Sequence, residues 1–311
     1  MTTKFEGPEK KLEIILFAPQ AGLRSNRDGQ WDRVAKASRA AIISGIATDD
    51  LDAYLLSESS LFVWEDRILM ITCGKTTLIN AVPEILKIVN RDRIAFVFYE
   101  RKSFMFPHEQ PSNFEDDVAC MVKYFPGKSY RLGPANYDHI HLFYSSQTNN
   151  ALSRDATFQL LMHELDPYVL EVFSLQNGST GDKIEKISGL NRIYPQMIKN
   201  SHLFSPYGYS LNGIFNKNYF TIHVTPQPEG SYASFETNVI ENDYLGLTNE
   251  VVSIFKPKKF SLVLTTSIDN RFRTTHSTVA DAVPAYIRAE KSLYEFDCGY
   301  AITFLNYIHE S

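Results

Sequence analysis

Short runs of aromatic and β-branched residues recur along the whole chain, and they limit what it can fold into more than any other feature. They lie at 12–17, 60–64, 67–72, 93–99, 129–132, 139–144, 157–165, 202–210, 219–225, 231–237, 260–266 and 298–305. Each has strand length, and several alternate with the period of two that lays one face on a core. Helical patterns fall between them at 30–46, 76–90, 113–124, 167–173, 245–255 and 279–290. Asn113 is placed to cap the third of these, with acidic residues in the first turn behind it. Pro83 interrupts the second and is expected to end or kink it. Strands come in groups rather than alternating strictly with helices. Antiparallel sheets with helices packed against them are therefore expected, an α+β fold. The order of elements is loosely similar in the two halves, and no Pro/Gly/Ser-rich linker divides them. The expectation is one unit, 1–311, with an internal duplication. The stretch 176–189, with Asn177-Gly178 and Gly181-Asp182, reads as loop.

The 311 residues are 44% hydrophobic, enough to bury a large core. The net charge of −5 is spread over interspersed charges of both signs, so neither nucleic acid nor an anionic membrane is an expected partner. No apolar run has membrane-spanning length, and the first residues lack a signal-type apolar stretch, so a cytoplasmic protein is expected. Three cysteines, none close to another, argue against a disulfide framework and against a thiolate metal site; no metal is expected. The sequon Asn177-Gly178-Ser179 would be idle in such a chain. Gly74-Lys75-Thr76 imitates part of a phosphate-binding loop, but that loop needs a glycine where Leu69 stands.

The tetrapeptide Ser57-Glu58-Ser59-Ser60 is a polar step between two apolar runs, with Thr72-Cys73-Gly74 shortly after it. Gly208-Tyr209-Ser210 and Thr221-Ile222-His223 come much later. Alone, such a serine is usually only structural, and a histidine in an apolar strand is more often a satisfied core residue than a catalyst. They do not stand alone. Phe5-Glu6-Gly7-Pro8-Glu9-Lys10, the stretch 55–63, Glu164-Leu165-Asp166-Pro167, the stretch 204–213, and 221–226 with 231–238 accompany them in order. With these motifs the chain resembles the eukaryotic-type, pyruvoyl-dependent S-adenosylmethionine decarboxylases.

The resemblance implies a four-layer α/β/β/α sandwich of two antiparallel sheets flanked by helices. It implies a proenzyme that cuts itself between Glu58 and Ser59, giving a small β chain, 1–58, and a large α chain, 59–311. The Ser59 hydroxyl would attack the Glu58 carbonyl, and elimination from the resulting ester would leave a pyruvoyl group. Ser210 and His223 would serve this processing, since a serine hydroxyl is a weak nucleophile and the oxyanion needs waiting donors. The pyruvoyl cofactor would form a Schiff base with the substrate's amine and accept electrons as carbon dioxide leaves. Cys73 would be the proton donor, its thiol pKa lowered at a strand end before a helix start. Phe5 and Phe204 would sandwich the adenine, Leu56 would offer its backbone to the adenine edge, and Glu6 and Glu9 would lie near the site. The small-molecule substrate would be S-adenosylmethionine and the product the aminopropyl donor for spermidine and spermine synthesis; family members occur both as homodimers of cleaved units and as monomers, which leaves both open.

Two departures from the family matter. Gln227 stands where a glutamate usually accepts the ribose hydroxyls, which weakens a charge-assisted bond. Glu13, Asp155, Thr157 and Glu236 match a cluster that binds putrescine as activator in some members, but Gln159 replaces a carboxylate there and Ile71 a lysine. Gln227 keeps open a pyruvoyl decarboxylase of ornithine, arginine or lysine. An inactive regulatory paralogue is a further alternative, against which stand the intact Ser59, Cys73 and His223.

Overall fold

The computed structural model describes residues 5–174 and 180–310. The first half of the chain forms one eight-stranded sheet from β1 (Lys10–Leu16), β2 (Ile42–Ala47), β3 (Asp52–Leu56), β4 (Ser59–Val63), β5 (Arg67–Thr72), β6 (Ile94–Lys102), β7 (Lys128–Leu132) and β8 (Ile140–Ser146). The second half forms another from β9 (Ala156–His163), β10 (Ile198–Leu203), β11 (Tyr209–Phe215), β12 (Asn218–Thr225), β13 (Tyr232–Thr237), β14 (Lys259–Ser267), β15 (Tyr286–Glu295) and β16 (Tyr300–His309). The orders are β2-β3-β4-β5-β1-β6-β8-β7 and β10-β11-β12-β13-β9-β14-β16-β15, so adding eight to each number of the first gives the second. The pairs within both sheets are antiparallel, as in β1–β5 and β11–β12. The expected duplication is thus present as repeated topology.

Strand β1 shows how the sequence builds the layers. Leu12, Ile14 and Leu16 point to the helix side, where they pack with Trp31, Val34, Val82, Ile85 and Met121. These come from α1 (Gln30–Ala37), α2 (Ala81–Ile85) and α3 (Phe114–Met121). On the second sheet α4 (Pro167–Phe173), α5 (Gly181–Ser188) and α6 (Leu245–Phe255) supply Val169, Phe173, Ile184, Val251 and Phe255 to the equivalent core. Burying each such side chain contributes about 1.5–3 kcal/mol. The opposite faces of the sheets meet each other through Ile15, Phe96, Phe98, Leu161, Val263 and Phe304. Helices, sheet, sheet and helices therefore make four layers, and residues with the alternation of Lys11 and Glu13 fall between the sheets.

Several local expectations need correction. The pattern at 30–46 breaks after Ala37: Arg39 takes a left-handed φ of 61°, and the β-branched run that follows becomes edge strand β2. At 76–90 only Ala81–Ile85 is α-helical, with Pro83 in a first turn whose N–H groups need no intrahelical partner. The run 202–210 is two strands, because the chain turns over 204–208, where Gly208 has φ 126°. The alanine-rich 279–290 is not a helix: Pro284 interrupts it, and pairing with β16 draws Tyr286–Glu295 into a strand. A short helix, α7 (Phe272–Thr278), precedes it. Within 176–189, residues 180–189 hold α5, closed by Gly189 at φ 87°; the sequon lies outside the described residues. The Asn113 cap is present as a capping box, with Asp116 N–H donating to its Oδ1 at 2.8 Å and Asn113 N–H donating to Asp116 Oδ2 at 3.1 Å.

Candidate active site

The β3–β4 hairpin carries the Ser57-Glu58 turn, with Leu56 and Ser59 paired across it. Ser59 has a φ of 120°, which non-glycine residues rarely adopt, and it is buried. A residue held so costs about 1–3 kcal/mol. Its Oγ makes no close hydrogen bond among the described residues, although it interacts with the Cys73 side chain. Ser59 also pairs with Thr72, which brings Cys73 alongside. The Cys73 N–H donates to the Glu58 carbonyl oxygen at 3.1 Å, so the carbonyl beside Ser59 is already polarised by a backbone donor.

The second sheet supplies the facing groups. Ser210 and His223 are cross-strand partners on β11 and β12, and Ser210 Oγ lies 2.9 Å from His223 Nδ1. His223 Nε2 lies 2.9 Å from Thr221 Oγ1. Ser60 Oγ donates to Asn212 Oδ1 at 2.7 Å, tying the two sheets together beside the hairpin. Phe5, Glu6, Glu58, Ser59, Cys73, Phe204, Ser210, His223 and Gln227 line one cavity of ≈540 Å³. That volume suits a nucleoside-sized ligand. The turn at 204–208 forms its wall, which is why Phe204 faces it and not the core.

Charge is scarce in this cavity. Burial lowers the His223 pKa to about 3, helped by Lys102, so the ring is neutral at ordinary pH. Burial raises Glu58 to about 7, opposed by Lys10. The Cys73 thiol is pushed up, first by burial and then by Glu58 and Glu9, which corrects the expectation of a lowered value. No helix starts at Cys73, the next turn of helix being 3₁₀ at Leu78–Asn80, so no dipole offsets the desolvation. The group there is a thiol, not a thiolate.

Other residues singled out in the sequence are distributed unevenly. Glu6 accepts the N–H groups of Met105 and Phe106 at 2.8 and 2.7 Å, and so ties a loop to the cavity rim. Glu9 lies behind the cavity, bound by Tyr232 at 2.7 Å and by Ser234, with Lys102 3.7 Å away. The Leu56 side chain is fully buried on the helix side, leaving only its backbone near the site. Gln227 Oε1 accepts the Phe5 N–H at 3.1 Å and thereby holds an aromatic wall.

The acidic cluster between the sheets is filled by the chain's own cations. Arg67 meets Glu13 at 3.3 Å and Asp155 at 2.6 Å, and Lys11 meets Glu236 at 3.1 Å. Burial pulls the Lys11 pKa down, but Glu236, Glu100 and Glu13 outweigh it and the ammonium stays charged. Gln159 accepts from Lys102 at 2.7 Å and donates to Glu100 at 3.1 Å, a two-way role that a carboxylate could not fill. The gap left beside Glu13, Asp155 and Thr157 is ≈10 Å³, about the room of one water. The expected diamine site is therefore occupied by Lys11 and Arg67.

Sequence reasoning gave no role to Lys10, Ser60, Asn212 or Thr221, although all four lie within its motifs. Lys10 Nζ donates to Gly74 O, Thr76 O and Gln110 Oε1 at 3.4, 3.1 and 2.9 Å, and so fixes the loop after Cys73. Burial lowers its pKa to about 8, helped by Arg101. The available signal was polarity in otherwise apolar strands: Ser60, Asn212 and Thr221 are all buried, and they meet between the two sheets.

Two duplicated eight-stranded sheets thus bring the Glu58-Ser59 bond to one cavity with Cys73, Ser210 and His223. The comparisons with known proteins agree. The sequence matches the adenosylmethionine decarboxylase family over residues 2–308, and the chain belongs to that family. It is 34% identical to the S-adenosylmethionine decarboxylase proenzyme of Dictyostelium discoideum, over 97% of this chain and 85% of that one. It is 35% identical to the proenzyme of the same name from Xenopus laevis, over 94% and 92%. The crystal structure titled Trypanosoma brucei AdoMetDC-delta26 monomer superposes with a TM-score of 0.65 at 26% identity, covering 81% of this chain and 99% of that one.

Proposed function

We propose that the chain is made as a proenzyme, cuts itself between Glu58 and Ser59, and then decarboxylates S-adenosylmethionine to the aminopropyl donor of spermidine and spermine synthesis. The observation that carries this reading is Ser59: a buried hydroxyl with no close hydrogen bond, beside the Cys73 thiol, on a backbone at φ 120° and next to a carbonyl held by the Cys73 N–H. The Ser59 Oγ forms a bond to the Glu58 carbonyl carbon while the carbon–nitrogen bond breaks, and the hydroxyl proton passes to the released amine. Cys73 N–H stabilises the oxyanion between these events. A base then removes the Ser59 α-proton, the bond from Cβ to the ester oxygen breaks, and Glu58 leaves as a carboxylate. Neutral His223 is the base in reach of the cavity. Hydrolysis of the remaining dehydroalanine releases ammonia and leaves a pyruvoyl group.

The residues present fit that group, since its precursor lines the cavity beside Cys73. A pyruvoyl carbonyl supplies an electron sink for loss of carbon dioxide from a bound amino acid. The chain's own residues then bind and protonate. Phe5 and Phe204 give the cavity aromatic walls suited to a purine. The high thiol pKa keeps Cys73 loaded with the proton that the carbanion must receive. Gln227, already engaged by Phe5, gives no observation in favour of a substrate without ribose. The chain needs no diamine, because Lys11 and Arg67 already neutralise the buried carboxylates.

Denaturing mass spectrometry tests the cleavage, with fragments of 58 and 253 residues expected (311 − 58 = 253). A single 311-residue species refutes it. Release of labelled carbon dioxide from S-adenosylmethionine, unchanged by added putrescine, tests the rest. Release from ornithine, arginine or lysine alone sinks the substrate assignment.

A further inference from the structure

The short contacts around His223 admit one arrangement of protons, with Ser60 Oγ standing further off at 3.4 Å from both His223 Nε2 and Thr221 Oγ1. Asn212 Nδ2 donates to the Tyr54 carbonyl at 3.3 Å, which fixes the amide so that Oδ1 faces the intersheet cluster. That oxygen accepts from Ser60 Oγ at 2.7 Å and from Thr221 Oγ1 at 2.8 Å. A hydroxyl has one proton. Two oxygens 2.8 Å apart with no proton between them repel, so Thr221 has committed its proton to Asn212. Thr221 Oγ1 can then only accept from the imidazole nitrogen 2.9 Å away, which must carry hydrogen. The neutral ring has one N–H, so its other nitrogen is bare and accepts from Ser210 Oγ at 2.9 Å.

We infer that Ser60, Asn212 and Thr221 are positioning residues that lock His223 as the Nε2–H tautomer, so that Nδ1, on the Ser210 side, is the base for self-processing. The opposite tautomer would lose the Thr221–Asn212 bond and leave two acceptors in contact. The assignment also gives Ser210 a direction. Its proton is spent on Nδ1, so it presents lone pairs to the cavity it shares with Ser59. In the resting chain Ser210 is an acceptor for a proton from the cavity. It can pass its own proton to Nδ1 in the same step, so no charge is stranded on oxygen. This inference rests on the processing reading for its consequence, but not for the tautomer itself.

Two measurements separate them. The Ser59→Ala chain, ¹⁵N-labelled at histidine, keeps the proenzyme intact, and the His223 signals are those missing from a His223→Gln control. A protonated Nε2 and a bare Nδ1 are expected; a protonated Nδ1 overturns the inference. In the cleavable chain, Thr221→Val is expected to slow appearance of the 58-residue fragment at least tenfold, with Thr221→Ser restoring most of the rate. Cleavage of the Val variant at the parent rate also overturns it. If the parent chain never cleaves, the processing reading fails, and the nitrogen shifts still decide the tautomer.

Discussion

The two halves repeat one topology, and their equivalent hairpins have taken opposite conformations. In β3–β4 the pair closing the turn is Leu56 with Ser59; in β11–β12 it is Phe215 with Asn218. Each turn has two residues. The second hairpin relaxes through Asn216, whose φ of 50° is left-handed helical, a region asparagine tolerates. Its carbonyls are well satisfied: Thr48 Oγ1 donates to Asn216 O at 2.6 Å, while Trp64 Nε1 and Asn238 Nδ2 donate to Lys217 O at 3.0 and 3.1 Å. The first hairpin puts its positive φ two residues later, on buried Ser59 at the start of β4, and leaves that hydroxyl without a close hydrogen bond. The same frame thus stores strain in one copy and releases it in the other. The difference lies in side chains and partners, not in topology.

The largest effect that can break this comparison is loss of cleavage. Ser59→Ala is expected to leave a single 311-residue chain, whereas Asn218→Ala at the equivalent place still gives fragments of 58 and 253 residues (311 − 58 = 253). Cleavage of the Ser59→Ala chain would remove the asymmetry altogether. Next, Cys73→Ala is expected to lower carbon dioxide release per processed chain by about 10²–10⁴-fold, the usual range for a lost general acid. A rate within threefold of the parent would place the proton donor elsewhere.

A smaller effect measures the stored strain. The Ser59→Gly chain is expected to be more stable than Ser59→Ala by about 1 kcal/mol in denaturant melts, because only glycine adopts φ 120° freely. Equal stability would mean the hairpin relaxes once the hydroxyl is gone. The smallest effect is pH-dependent. Glu58 has a folded pKa of about 7 against an ordinary 4.5, so the folded chain holds its proton more tightly. Its contribution is intact below pH 4.5 and is lost as pH rises through 7. Melts of Ser59→Ala should therefore fall by roughly 1–2 kcal/mol over that window relative to Ser59→Ala with Glu58→Gln, after discounting for solvent screening. Parallel curves would put Glu58 in solvent.

Much of this was legible in the sequence, for reasons that differ by residue. Strands such as 67–72 and 219–225 are largely apolar runs and match their observed bounds to within one residue, because burial in a sheet leaves little freedom. Edge strands β2 and β15 were not legible, since half their positions face solvent and Pro284 and alanines gave a mixed local signal. The motifs brought Ser59, Cys73, Ser210, His223, Phe5 and Phe204 to one cavity. The electrostatics at Cys73 were misjudged because spacing cannot show desolvation. The fate of Glu13, Asp155 and Glu236 was hidden for a related reason. Which cations reach a carboxylate depends on the register between β1 and β5, and that register places Lys11 and Arg67 among them.

The division of the site between the sheets has a consequence in time. Ser60 and His223 are 163 residues apart in the chain, yet they meet in one buried cluster. Synthesis at about 5–20 residues per second separates their emergence by roughly 8–30 seconds. The half carrying the Glu58-Ser59 bond is therefore complete well before the half carrying His223 exists. On the proposed processing, a nascent or truncated chain would lack the means to sever itself, and the order of translation would act as a safety catch, released only when the second sheet docks.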